Sequence, residues 1–180
     1  CVGVSGGPAP DWAAPWKLMP GRSSEYACDH RAMPEPSAVP DDEAPDGSPY
    51  DWYHRAIALL DSGNSDAAAV LLARLREVDP TSTSVLEAHA RALFDGRRYA
   101  EAAEAFGELV ERSPAEDYAH YGLGMSLWRL QQFPVARDHL AMAFVMRPER
   151  SEYGQALAQV KATLRARGLA GLPLEGSIST

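Results

Sequence analysis

Near the end of the chain Tyr153, Ala156, Leu157, Val160 and Leu164 follow helical steps of i, i+3, i+4, i+7 and i+11. Gln155, Gln159, Lys161, Arg165 and Arg167 occupy the other side, so residues 151–167 are predicted as a helix with one apolar stripe. Upstream, apolar and small positions recur at a longer interval. Pro80, Pro114 and Pro148 stand 34 residues apart, and Ala68, Ala102 and Ala136 lie twelve before each proline. Leu72, Phe106 and Leu140 lie eight before, and the small residues Ala56, Ala90 and Gly124 twenty-four before. A fixed period of this size signals stacked supersecondary units, each too small to bury its own apolar face.

The period divides residues 49–150 into units 49–82, 83–116 and 117–150, closed by the helix at 151–168. Each unit holds two helices, A and B. The A helices are expected at 50–61, from Ser84 to Phe94, and at 116–130; the B helices at 66–78, 99–112 and 134–146. Ser65 is expected to cap the first B helix through its hydroxyl. Ser84 and Glu87 have capping-box spacing. Pro134 suits a first helical turn, where its missing N–H costs little, and Gly168 suits a C-terminal cap. Within a unit the small A-helix residue lets the B-helix alanine approach closely, while Leu72, Phe106 and Leu140, with Leu75, Leu109 and Ala143, fill the space between units. Tyr99 and Phe133 open their B helices and pack on the turn.

This register resembles the tetratricopeptide repeat, a 34-residue helix–turn–helix unit. The resemblance implies an all-α, right-handed α-solenoid of three units plus a C-terminal capping helix. Departures fall on the A helices: the family's large fourth residue is Trp52 and Leu86 but then His120, and its seventh-position leucine is Arg55 and His89 before Leu123. The run Tyr118–Met125 and the ending Met146-Arg147-Pro148 are similar to short three-repeat bacterial proteins of GC-rich actinobacteria, mostly cytosolic. The family implies a concave groove along the A helices where a partner peptide lies, faced by positions two, five, nine and twelve of each unit. Those positions include Tyr53, Ile57, Glu87, Arg91, Phe94, Tyr118, Tyr121, Met125 and Trp128, together with Tyr50, Leu60 and Ser84. Tyrosine and tryptophan bury large area at little rotamer cost and favour interfaces. Arg91 could meet a partner carboxylate, with Glu87 one turn earlier as its internal competitor. Chaperone-binding members carry Lys and Asn at the fifth and ninth positions of their first repeat. Tyr53 and Ile57 stand there, so that clamp is missing. The partner expected is an unknown protein or peptide with an apolar or aromatic segment; the alternative is that the protein's own tails pack on these aromatics.

Composition narrows the function further. Net charge is −8 and no basic stripe is present, which speaks against a nucleic-acid binder. Residues 1–48 are proline-rich and acidic without helical period, and are expected to be a disordered or extended linker; residues 169–180 are expected to be a flexible tail. Trp12 and Trp16 are either docking groups in that linker or incidental. Cys1, followed by Val2-Gly3-Val4-Ser5-Gly6-Gly7, would suit a lipidated cysteine on a flexible tether, which makes a lipid-anchored envelope assembly factor the alternative to a cytoplasmic protein. Membrane attachment is expected only if Cys1 is lipidated. A self-associating scaffold is a third reading.

No phosphate-binding loop, nucleophile elbow, HExxH or CxxCH motif occurs, so neither enzyme activity nor a cofactor is expected. His54, His89 and His120 recur near the repeat spacing. Helices pack 8–10 Å apart, whereas zinc ligands converge about 2 Å from the ion, so half-buried structural histidines are expected instead of a metal site.

Overall fold

The computed structural model describes residues 47–176. Cys1, Trp12, Trp16 and the linker assigned to residues 1–48 lie outside the described residues, apart from the last two positions of that linker. Among the described residues the regular structure consists of seven helices: α1 Pro49–Asp61, α2 Ser65–Val78, α3 Thr83–Asp95, α4 Tyr99–Arg112, α5 Asp117–Arg129, α6 Phe133–Met146 and α7 Ser151–Leu169. Each helix packs against the next in sequence, and α1, α3, α5 and α7 also touch one another in series. That is an all-α helical-repeat solenoid.

The chain ends every A helix in the same way. Gly63, Arg97 and Gln131 take positive φ of 84°, 60° and 61°, one per unit and 34 residues apart. Their N–H groups bond back to Leu60, Phe94 and Trp128, and the following N–H groups of Asn64, Arg98 and Gln132 reach Leu59, Leu93 and Leu127 at 2.8–2.9 Å. This paired pattern satisfies carbonyls that a helix end leaves open. In the second unit the glycine is one place early. Gly96 has φ −74°, and the left-handed conformation falls on Arg97. Gly96 serves by its missing side chain: a Cβ there would come 2.9 Å from Asp66 Oδ1.

The B helices end at Asp79, Ser113 and Arg147, whose φ values of −132°, −139° and −139° are extended. Each precedes one of the three periodic prolines, whose ring pushes the preceding residue out of the helical region. Pro134 sits in the first turn of α6, as its chemistry requires.

Three expected caps are corrected. Ser65 is the first residue of α2; the cap position belongs to Asn64, whose side-chain amide donates to the Ser62 hydroxyl at 3.0 Å and makes no cap bond. The cap of α3 is Ser82, whose hydroxyl accepts from Val85 N–H, so Ser84 and Glu87 form no capping box. Asp79 holds the intervening turn by accepting from the Thr81 N–H at 3.1 Å, which starts α3 earlier. α7 runs through Gly168 to Leu169, and Gly171, φ 64°, takes the left-handed position. A reciprocal capping box does exist, at Ser48 and Asp51 of α1. Hydrogen bonds from Ser48 hold the Asp51 carboxyl below its ordinary range.

The core follows the periodic positions. Ala56, Ala68, Leu72, Ala90, Ala102, Ala136 and Leu140 are fully buried, and Phe106 nearly so. Phe106 is the large member of its series, and Gly122 makes space for it: a Cβ on Gly122 would lie 2.4 Å from the ring. The residues 34 before and after Gly122 are Ala88 and Ala156, where the facing series holds Leu72 and Leu140. Gly124 likewise admits Leu140, whose Cγ would stand 2.7 Å from an added Cβ.

Candidate partner-binding face

The A helices α1, α3 and α5 carry the nine residues singled out for a groove. The structure divides them. Tyr53, Ile57, Glu87, Arg91 and Trp128 are half-buried side chains, and Tyr50 at the start of α1 is 62% exposed. Phe94, Tyr118, Tyr121 and Met125 are buried. Phe94 packs edge-on against Tyr99, and Tyr118 edge-on against Phe106. Tyr121 lies flat on Tyr153 of α7, with centroids 4.6 Å apart and planes 25° apart. Burial pushes the Tyr121 hydroxyl pKa up. In the structure these four side chains are buried in packing contacts.

Arg91 pairs with two carboxylates that the sequence reading did not connect to it, at 3.5 Å to Asp61 and 3.9 Å to Asp95. Asp61, Asp95 and Arg129 occupy the same place in successive units. The guanidinium of Arg129 lies 5.7 Å from the ring centroids of both Tyr99 and Trp128. The A-helix face therefore offers aromatic and aliphatic surface with an alternating charge row at its turn edge.

The histidines do not form a ladder. His54 packs on the Tyr50 ring, with centroids 4.2 Å apart. His89 meets Arg76 at 3.3 Å, and burial, reinforced by Arg76, lowers its pKa to about 4. His120 pairs with His139, Nδ1 to Nδ1, at 3.1 Å. His120 Nε2 stands 3.1 Å from the Pro114 carbonyl, so that nitrogen carries hydrogen and His120 Nδ1 accepts from His139. Burial, with His120 adding to it, lowers the His139 pKa. No group of three or more His, Cys, Asp or Glu that could hold a metal ion occurs among the described residues.

Two polar clusters escaped sequence reasoning because the contacts that join them across units link residues 30 or more apart. Between the first and second units, Arg76 donates to Glu108 at 2.6 Å, Arg112 also meets Glu108, and Arg112 reaches the Pro80 carbonyl at 2.7 Å. With Ala73, Glu77 and His89 they line a cavity of about 330 Å³. Between the third unit and α7, Tyr153 donates to the buried Asp117 at 2.7 Å, and Arg147 and Arg150 approach that carboxylate at 3.5 and 3.8 Å. Asp117 opens α5 where the earlier units have Pro49 and Thr83, so only a change at one repeat position hinted at it.

Of the tail expected at residues 169–180, the part up to Gly176 is described, and it makes hydrogen bonds back to α7 and to the turn before α6. Arg167 is buried over the Phe133 ring at 5.0 Å and donates to the carbonyls of Pro173, Glu175 and Gly176, while the Gly176 N–H bonds to Gln131 O at 3.1 Å. Among the described residues no helix is long and apolar enough to cross a membrane.

Residues 87–149 match the tetratricopeptide repeat family. No curated protein matches the sequence. Among solved structures, MamA residues 41-end from Desulfovibrio magneticus RS-1 superposes with a TM-score of 0.64 at 21% identity, over 69% of this chain and 70% of that one. The Sgt2 TPR domain from Aspergillus fumigatus gives 0.64 at 14% identity, over 76% and 91%. The first TPR domain of Spaghetti (RPAP3), solved with the HSP90 peptide SRMEEVD, gives 0.62 at 17% identity, over 65% and 93%. The chain thus carries three helix pairs in unbroken 34-residue register, shares the fold of these tetratricopeptide-repeat structures, and matches the tetratricopeptide repeat family over residues 87–149.

Proposed function

We propose that the chain is a non-catalytic protein-interaction module that holds a peptide segment along its A-helix face. The observation carrying this reading is the set of partly accessible large side chains, Tyr50, Tyr53 and Ile57 on α1 and Trp128 on α5, with Glu87 and Arg91 of α3 between them. Such side chains anchor interfaces because they bury much area for few frozen torsions. The RPAP3 domain, solved with a peptide, supports a groove of this kind at the level of fold. Tyr53 and Ile57 favour an apolar or aromatic stretch of partner over a chaperone carboxylate tail. Arg91, already between Asp61 and Asp95, is a rim group.

A peptide-display selection on the immobilised full chain tests this. Enriched peptides should bind the wild type and weaken about tenfold or more on Trp128→Ala or Tyr53→Ala, the loss of one interface anchor. Equal binding to all three proteins would overturn the assignment. Tyr121→Ala is unsuitable as a probe, since it would open a hole beneath Tyr153.

A further inference from the structure

The outward faces of α4 and α6 occupy the same repeat positions and have opposite chemistry. On α4 the outermost row reads Glu101, Glu104, Glu108 and Glu111, followed by Arg112. Thirty-four residues on, α6 carries Val135, Asp138, Met142 and Val145, followed by Met146. Val145 is 77% exposed and Met142 52%, while Val135 and Met146 are also exposed. A surface helix in a repeat stack normally keeps its outer face polar. α6 instead has apolar residues inside and outside.

The acidic row beside it is only half neutralised. Glu101 is held by Arg98, and Glu108 by Arg76 and Arg112. Glu104 and Glu111 are exposed and, among the described residues, have no ion-pair partner. The Arg76–Glu108 contact shows that the edges of α2 and α4 meet, and the repeat register sets α4 beside α6 in the same way.

We propose that this α4–α6 surface is a second docking site, distinct from the A-helix face, for an amphipathic, basic segment of another protein. Its apolar side rests on Val135, Met142, Val145 and Met146, and its lysines or arginines face Glu104 and Glu111. Methionine suits such a surface because its unbranched, polarisable side chain adapts to varied partners. Both helices have 14 residues, roughly 21 Å at 1.5 Å per residue, so a matching segment is three to four helical turns long. The charge argues for this occupant over two others. A second copy apposed through α6 would bring a second set of unneutralised glutamates to the same interface. An anionic lipid surface would be repelled by the same row.

The probe is a fluorescein-labelled 16-residue peptide of leucine and lysine in helical amphipathic order, with a glutamate-for-lysine counterpart, titrated onto the full chain by anisotropy. The lysine peptide should bind, weaken at least tenfold on Met142→Gln with Val145→Gln, and weaken about threefold to tenfold with loss of salt dependence on Glu104→Gln with Glu111→Gln. The counterpart should not bind. All four positions are exposed, so circular dichroism melts should be unchanged; if the first pair shifts the melt, Val145→Ser alone repeats the test. No binding, equal binding to the variants, or loss on Trp128→Ala alone would overturn the proposal. So would self-association in sedimentation, or vesicle binding to phosphatidylcholine–phosphatidylglycerol, that Val145→Ser abolishes.

Discussion

The joint between the first two units and the joint between the third unit and α7 are built at opposite ends of one repeat pattern, by opposite means. The first is a half-exposed ionic network of Arg76, Glu108 and Arg112 beside His89, around a cavity of about 330 Å³. The last buries a carboxylate, Asp117, against the Tyr153 hydroxyl, with Tyr153 stacked on Tyr121. Water already solvates much of the first network, so each ion pair there adds little to stability. The carboxylate at the last joint has lost most of its water and depends on its protein partners. The same helix-on-helix contact is thus adjustable at one end and tightly specified at the other.

Breaking the buried joint should have the largest effect. Asp117→Ala removes the acceptor of the Tyr153 hydroxyl and the charge facing Arg147 and Arg150, with an expected loss of about 2–4 kcal/mol in urea unfolding. A loss below that of Arg76→Ala would reverse the ranking of the joints. The middle joint sharpens the comparison through shape alone. Gly122→Ala drives a Cβ into Phe106 and should cost about 1–3 kcal/mol. Adding Phe106→Leu restores the leucine–alanine pairing of the neighbouring units and should recover part of the loss, read as a non-additive double-mutant cycle.

Acid separates the joints next. The folded pKa of His89 is depressed to about 4, below its unfolded value near 6.5, so the unfolded chain binds the extra proton between those values. Stability should fall as pH drops from about 6.5 to about 4, and His89→Gln should flatten that slope in unfolding curves taken across the range. His139, whose pKa is also lowered, adds a slope of the same sign in the third unit. The smallest effect belongs to Arg76→Ala, expected at or below about 1 kcal/mol and shrinking as salt is raised.

Regular local rules made the scaffold legible. The 34-residue period, the prolines that close each B helix and the small residues that let helices approach act within a unit, so their spacing appears directly in the chain. Caps were read less well. Ser82, not Ser84, starts α3, because the Asp79 turn sets the entry and several serines nearby satisfy the same composition rule. On the candidate face, residue type alone could not separate Tyr53 from Tyr121. Both hold the fifth repeat position, yet Tyr121 meets an aromatic residue of α7.

By itself the sequence determined the number of units, their register and the helix faces that pair, since these depend on periodicity and on the local chemistry of Pro, Gly and Ala. Only the tertiary structure decided which aromatics are packing groups, how Asp117 and Arg76 find partners, and that Arg167 bonds to the carbonyls of Pro173, Glu175 and Gly176. The reason is distance along the chain: a repeat position states which side a residue faces, but its partner comes from another unit, and in a stack of three each unit has different neighbours.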